Sequence, residues 1–154
     1  MENTVSKQIK LITFKVAGHW FTLPMNNILR VVNCPSSERG GVLSFGVIQL
    51  GQHTVQLLDL YGVFGLGASP PEQPPFLLVL RNRYQKMLWG IVLADPPDLV
   101  ELPVAMFKSI STDKRFTPKK QWISHVAVLS EQTISRTLLV LDIKAIFQPN
   151  PLTA

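Results

Sequence analysis

Two stretches of this chain share one pattern, and that pattern constrains the fold more than any other feature. Residues 55–64 and residues 138–147, which lie 83 positions later, each contain a short apolar run, then an Asp, then apolar residues one, four and five positions beyond it. Asp is a favoured helix N-cap because its carboxylate accepts hydrogen bonds from the first backbone N–H groups. The pattern therefore predicts two similar small units, each closing with a buried strand and one or two helical turns.

Short apolar runs separated by turn signals fill most of the remaining chain, and almost none shows a sustained helical period. Alternating or short apolar runs bounded by Gly, Asn and Pro are typical of β-strands. We therefore predict an all-β fold with short helices and four strand pairs: residues 9–16 with 20–23, 46–50 with 54–58, 76–81 with 87–93, and 122–129 with 137–141.

Composition sets the class of protein. The chain has 154 residues, 46% of them hydrophobic and 16% charged, with a formal charge of +5. This length predicts one domain that buries a sizeable core without a disulfide or metal. Charged residues interrupt the N-terminus, and no apolar run approaches the ~20 residues of a spanning helix. The single cysteine, Cys34, excludes an internal disulfide framework. We expect a soluble, cytoplasmic protein.

Two polar or proline-rich stretches interrupt the strands. Residues 67–75 hold four prolines, which remove donors from a strand ladder, so an exposed loop is expected there. Residues 108–121 are polar and basic and are expected to form a solvated connection.

A search for catalytic or ligand-binding patterns gives no candidate enzyme site. The three histidines, His19, His53 and His125, lie in different predicted hairpins and lack metal-ligand spacing. Cys34 is better explained as a small loop residue than as a nucleophile. Asp59 and Asp142 are better explained as helix caps than as acid–base groups. We therefore predict no catalytic residue, no metal site and no cofactor.

Nucleic-acid binding is the alternative that the residues leave open. The predicted hairpin tip of residues 81–86 places Arg81, Arg83 and Lys86 beside Tyr84, and small β-barrels bind single strands with such groups. Against this, no stretch interleaves several exposed aromatic residues with cations, and the mild basic excess is ordinary for a solvated face. Nucleic acid is therefore the less favoured partner.

The order and spacing of several blocks resemble the CheW-like domain of bacterial chemotaxis and related signalling systems. The most specific block is residues 46–60, which is similar without a gap to the family signature Gly-Val-Ile-Asn-Leu-Arg-Gly-x-x-Val-Pro-Val-x-Asp-Leu. The other blocks are residues 11–24 leading to Ile28, Val31 and Val32 (similar to the family's opening hairpin and short helix), residues 76–92 (central hairpin) and residues 138–143 (closing strand and helix cap).

This resemblance implies a fold and a function. The fold would be two small five-stranded SH3-like β-barrels packed around a shared core, within a single domain of residues 7–150. The first barrel is expected at about residues 20–72 and the second at about 76–136, with residues 7–16 and 137–150 completing the pair. The implied function is a non-enzymatic adaptor that binds the regulatory domain of a CheA-type histidine kinase, a methyl-accepting chemoreceptor-type protein, or both.

Departures from the family pattern concern surface positions. The family's arginine and glycine in the signature are replaced by Gly51 and Gln52, its proline by Gln56, and its common Val-x-Glu-Val carries a reversed charge at Arg30. A specialised adaptor, for example in a pilus-type pathway, fits this pattern at least as well as a standard one. The expected partner contacts are the first-barrel hairpin with Arg30 nearby: Arg30, Gln49, Leu50, Gly51, Gln52 and His53.

Overall fold

The computed structural model describes residues 7–35, 46–81, 88–110 and 122–147. Most of these residues are in β-strands, and the two α-helices are short, which confirms the predicted fold class. The elements are β1 (Gln8–Val16), β2 (His19–Pro24), β3 (Ile28–Asn33), β4 (Val47–Leu50), β5 (His53–Leu57), α1 (Leu60–Val63), β6 (Phe76–Leu80), β7 (Leu88–Leu93), β8 (Asp98–Pro103), β9 (Lys108–Ser109), β10 (Ile123–Glu131), β11 (Ile134–Leu141) and α2 (Ile143–Phe147).

The strands form two sheets. One has six strands in the order β8-β1-β2-β11-β10-β9, and the other has five in the order β3-β6-β7-β5-β4. All four predicted strand pairs are present as neighbours in these sheets. The sequence did not predict β8 and β9. Where the resemblance implied a short helix after the opening hairpin, the structure has a 3-10 turn at Met25–Asn27, and β3 follows it.

Two parallel strand pairs decide which hairpins share a sheet. Strand β5 pairs in parallel with β7, and β11 pairs in parallel with β2. Strands β5 and β11 are the strands of the two repeats, which lie 83 positions apart. Each of them pairs with a strand of a hairpin that is distant along the chain. In the second pair, the Arg136 guanidinium lies 3.9 Å from the centroid of the Trp20 ring, a cation–π contact that joins β11 to β2.

The chain accordingly divides into two compact units: residues 1–14, 18–25 and 97–154 form one, and residues 15–17 and 26–96 form the other. This division differs from the expected barrel boundaries of 20–72 and 76–136. The Pro-rich stretch of residues 67–75 lies inside the second unit, because β6 and β7, which follow it, pair within the same sheet as β3, β4 and β5. Among the described residues, no helix is long and apolar enough to cross a membrane.

Each unit has its own apolar cluster. Side chains of Leu11, Leu102, Ala127 and Leu138 pack together in the six-stranded sheet, and those of Ile48, Val55, Leu77 and Val79 pack together in the five-stranded sheet. Burying a Leu, Ile or Val side chain contributes about 1.5–3 kcal/mol. Each cluster therefore contributes to the stability of its own unit.

The two predicted helix caps are present with matching geometry. The Gly62 backbone N–H donates to Asp59 Oδ1 at 3.1 Å, and the Ala145 backbone N–H donates to Asp142 Oδ1 at 3.1 Å. Gly62 and Ala145 occupy equivalent positions of the repeat. Each aspartate therefore begins its helix in the same way, as the sequence pattern predicted.

We predict that Asp59→Ala and Asp142→Ala each lower the free energy of unfolding by about 1 kcal/mol, because each removes the acceptor of a first-turn N–H group. Urea denaturation followed by circular dichroism measures the change. Asp→Asn at the same positions is the matched control, since an amide oxygen still accepts the bond. Equal losses for Ala and Asn would contradict the capping role.

Gly90 in β7 lies where a side chain does not fit. An ideal Cβ there would lie 2.8 Å from Val55 Cγ1 and 2.9 Å from Leu77 Cδ1. Its φ is not in the left-handed region, so the constraint is packing rather than backbone conformation. The Leu58 N–H also donates to the Gly90 carbonyl at 2.8 Å, which continues the link between the β5 and β7 segments beyond their parallel pairing.

We predict that Gly90→Ala lowers the free energy of unfolding by about 1–3 kcal/mol, because the added methyl overpacks the cluster around Val55. In a Val55→Ala background the penalty should shrink, since the nearest atom is removed. Chemical denaturation of the two single variants and the double variant measures this coupling. Fully additive losses would show that the contact with Val55 is not the cause.

Candidate partner-binding site

The hairpin that carries five of the expected contact residues is well defined. Gln49 and Leu50 are the last residues of β4, Gly51 and Gln52 form the turn, and His53 is the first residue of β5. Leu50 is paired with His53 across the strands, so the turn has two central residues. Strand β4 is an edge of the five-stranded sheet. The hairpin therefore lies at the border of that sheet.

The geometry of the turn explains why this chain has Gly51 where the resembled family signature has an arginine. Gly51 has φ +61°, and Gln52 is not among the residues with positive φ. A positive φ at only the first central position is the pattern of a type II′ turn, which favours Gly there. This chain therefore carries Gly-Gln at the positions where the resembled signature has Arg-Gly, and its turn needs the glycine one position earlier.

The Gln49 side chain braces the hairpin. Its Nε2 donates to the Gly51 carbonyl at 3.0 Å, and its Oε1 accepts from Thr54 Oγ1 at 3.0 Å. Gln49 and Thr54 are cross-strand partners. Sequence reasoning missed Thr54, although a two-residue turn at positions 51–52 would have placed it opposite Gln49. The Gln49 amide is thus engaged within the hairpin and positions the turn.

The remaining hairpin residues differ in exposure. Gly51, Gln52 and His53 are exposed, whereas Leu50 is half-buried and packs against the cluster around Ile48. An ideal Cβ on Gly51 would meet no atom within 4 Å, so the space in front of the turn is open. The hairpin therefore presents a polar tip with a partly exposed leucine at its base.

Arg30 lies on a different edge of the same sheet. It is exposed in β3 and is paired with Val79 of β6. Strands β3 and β4 end the hydrogen-bonded strand order on its two sides, and Val32 of β3 and Leu50 of β4 pack against the same apolar cluster. Its neighbours Leu29 and Val31 are 44% and 40% exposed, so β3 carries its own exposed surface of a cation between two apolar side chains.

The histidines and Cys34 do not come together as a reactive site. His19 and His53 are exposed on different sheets, and His125 Nδ1 lies 2.9 Å from Ser124 Oγ. In the described ranges, no three His, Cys, Asp or Glu side chains are grouped closely enough to hold a metal ion. Burial raises the pKa of the Cys34 thiol, which keeps the thiol protonated at neutral pH.

The basic hairpin considered for nucleic acid falls mostly outside the described residues. Arg81 is exposed at the end of β6, and its backbone N–H donates to the Asn27 carbonyl at 2.8 Å. Residues 82–86 of the hairpin are not described. Of the basic stretch at residues 108–121, Lys108 is exposed on β9, and residues 111–121 are not described.

Comparison with known proteins supports one family. A family model described as the CheW-like domain matches residues 10–150. Among solved structures, the scaffolding protein TtCheW from Thermoanaerobacter tengcongensis is similar, with 12% sequence identity, a TM-score of 0.67, and coverage of 97% of this chain and 94% of that chain. At this identity the likeness shows the fold, the arrangement of two SH3-like β-barrels. A comparison with curated proteins gave no match.

We predict that Gly51→Ala lowers the free energy of unfolding by about 1 kcal/mol, because an L-residue is strained at positive φ. Thermal and urea denaturation measure the change. Gln52→Ala is the matched control, because it introduces the same alanine at the neighbouring exposed position. It should change the free energy of unfolding by less than about 0.5 kcal/mol. Equal effects at both positions would contradict the assignment of the turn.

Proposed function

Because the chain belongs to the CheW-like domain family over residues 10–150, we propose that it is a non-enzymatic adaptor of a chemotaxis-like or pilus-type signalling pathway. It acts in the cytoplasm and binds the regulatory domain of a CheA-type histidine kinase, a methyl-accepting chemoreceptor-type protein, or both. The observation that carries this proposal is the family match across most of the chain, together with the shared two-barrel fold.

The β4–β5 hairpin is the proposed docking element. Its turn conformation is held by Gly51 at positive φ and by the two hydrogen bonds of the Gln49 side chain. A loop held in one conformation loses less conformational entropy when a partner binds it. The bracing of this hairpin thus supports its use as a rigid contact surface rather than as a mobile loop.

The chemistry of the hairpin indicates what kind of contact it makes. Leu50 offers part of an apolar side chain, Gln52 and His53 offer hydrogen-bonding groups, and Gly51 leaves room for a partner backbone to approach. At the turn, where the resembled signature has an arginine, this chain has no charge. We therefore expect the hairpin contact to depend on shape and hydrogen bonds, with weak sensitivity to salt.

Arg30 forms a second proposed contact on the opposite edge strand. It lies between the exposed Leu29 and Val31, and Arg with apolar neighbours is a composition enriched at protein interfaces. The two proposed contacts lie on the two strands that end the hydrogen-bonded order of this sheet.

We predict that His53→Glu weakens binding to the kinase regulatory domain by roughly 10-fold, because it places an unpaired carboxylate within the proposed contact. Isothermal titration calorimetry with the regulatory domain encoded in the same genome measures the dissociation constant. His19→Glu is the matched control, since His19 is also exposed but starts β2 in the other sheet.

The outcomes separate the function from the site. If the folded wild-type chain does not bind either partner at tens of micromolar, the adaptor proposal is wrong. If it binds but His53→Glu and His19→Glu have the same affinity as wild type, the adaptor proposal stands and the hairpin is not the contact.

A further inference from the structure

Each sheet takes one hairpin of the same kind, and the two hairpins have equivalent places. Residues 8–24 carry β1 and β2, and β2 lies beside β11. Residues 76–93 carry β6 and β7, and β7 lies beside β5. Because β5 and β11 are the strands of the two repeats, the repeated pattern by itself offers each hairpin two places. A difference in packing must therefore decide between them.

The two parallel strand pairs have the same register. In one pair, Leu57 of β5 lies opposite Gly90 of β7. In the other pair, Val140 of β11, which is the residue of the second repeat equivalent to Leu57, lies opposite Thr22 of β2. Gly90 and Thr22 therefore occupy equivalent positions, although one has no side chain and the other has a β-branched side chain.

The residue two positions earlier in each repeat differs in the opposite sense. An ideal Cβ on Gly90 would lie 2.8 Å from Val55 Cγ1 and 2.9 Å from Leu77 Cδ1, so no side chain fits there. The equivalent of Val55 is Leu138, whose side chain branches at Cγ instead of at Cβ and thus leaves space near the backbone. Thr22 is fully buried on the strand beside it. The valine is therefore matched to a glycine, and the leucine to a threonine.

Thr22 contributes its shape rather than its hydroxyl group. Within the described ranges, its buried Oγ1 has no hydrogen-bond partner. A buried hydroxyl without a partner lowers stability, so the hydroxyl is not what favours threonine at this position. What remains is the branched side chain, which fills a buried position of the six-stranded sheet and which a valine would supply equally well.

We propose that the pairs Val55–Gly90 and Leu138–Thr22 assign each hairpin to its sheet during folding. If β2 paired with β5 in the common register, the Cβ of Thr22 would take the place that is closed at Gly90 and would overlap Val55, and such overpacking is destabilising. In the reverse exchange, Gly90 would leave the volume of Thr22 empty beside β11, which also lowers stability. This assignment does not depend on the proposed signalling partners.

An exchange of the hairpins would change the neighbour of an exposed residue on β1. The register of β1 on β2 follows from their two-residue turn at positions 17–18. With the hairpins aligned in this way, Lys10 of β1 corresponds to Phe76 of β6. Lys10 is paired with Glu101 of β8, and Phe76 is paired with Asn33 of β3. An exchanged hairpin would therefore bring Lys10 opposite Asn33, and both of these residues and Glu101 are exposed.

Disulfide trapping during dilute refolding from urea tests the proposal in a Cys34→Ala background. Cysteines directly opposite one another on antiparallel strands are close enough to be bridged. The pair Lys10→Cys/Glu101→Cys reports the native arrangement, and Lys10→Cys/Asn33→Cys reports the exchanged one, which should stay reduced in the monomer. Thr22→Gly should raise the exchanged disulfide by about 10-fold, because β2 then fits beside β5. Non-reducing electrophoresis and mass spectrometry of peptides measure both disulfides.

A second variant and two matched controls complete the test. Val55→Ala keeps Thr22 in place and should also raise the exchanged disulfide, because it removes the overlapping methyl groups. Thr22→Val keeps the branched shape and should leave the exchanged pair reduced. Ala127→Gly also puts a glycine at a buried position of the six-stranded sheet, outside the proposed pairs, and controls for loss of stability. The proposal is overturned if Thr22→Gly and Val55→Ala give no more exchanged disulfide than Ala127→Gly, or if Thr22→Val gives as much as Thr22→Gly.

Discussion

Parallel pairing of the two repeated strands is the constraint on which the rest of this structure depends. Strand β5 pairs with β7 and strand β11 pairs with β2. Parallel neighbours cannot be joined by a tight turn, so each pairing joins segments that are far apart in the chain. The two apolar clusters depend on these pairings, because the pairings determine which side chains share a sheet. The close fit at Gly90 and the contact of Arg136 with Trp20 both occur where such a pair forms.

In the proposed docking hairpin, the turn residues differ from the family signature and have their own hydrogen bonds. A two-residue turn with positive φ at its first position needs Gly51 there, and the Gln49 amide then bonds to both the turn and Thr54. The result is a braced turn with glycine in place of the arginine of the resembled signature. A partner matched to this hairpin would differ in chemistry from one that recognises the arginine. The same reasoning applies to Arg30, whose positive charge replaces the glutamate common in the family.

Sequence reasoning succeeded where local rules decide the outcome. The hairpin at residues 51–52 and the caps at Asp59 and Asp142 depend on residues within five positions of one another, so turn and cap preferences were sufficient. The resemblance to the family implied a short helix after the first hairpin, where the structure has a 3-10 turn followed by β3. A proline-rich stretch predicts an exposed loop, but it carries no information about whether the strands on its two sides pair in one sheet. The candidate contact residues were predicted as one group, and they lie on β3 and on the β4–β5 hairpin, at the two ends of the strand order.

The sequence by itself therefore determined the β-rich class, the four hairpins, the two capped helices and, through its ordered blocks, the family. These features rest on the period of apolar residues, on turn chemistry and on capping, all of which act over short distances along the chain. Only the tertiary structure decided which hairpins share a sheet, that β3 and β8 are edge strands, and that Glu101 and Arg30 remain exposed on them. Those outcomes depend on pairings between distant segments, where many registers satisfy the local rules and the packing of the whole cluster selects one.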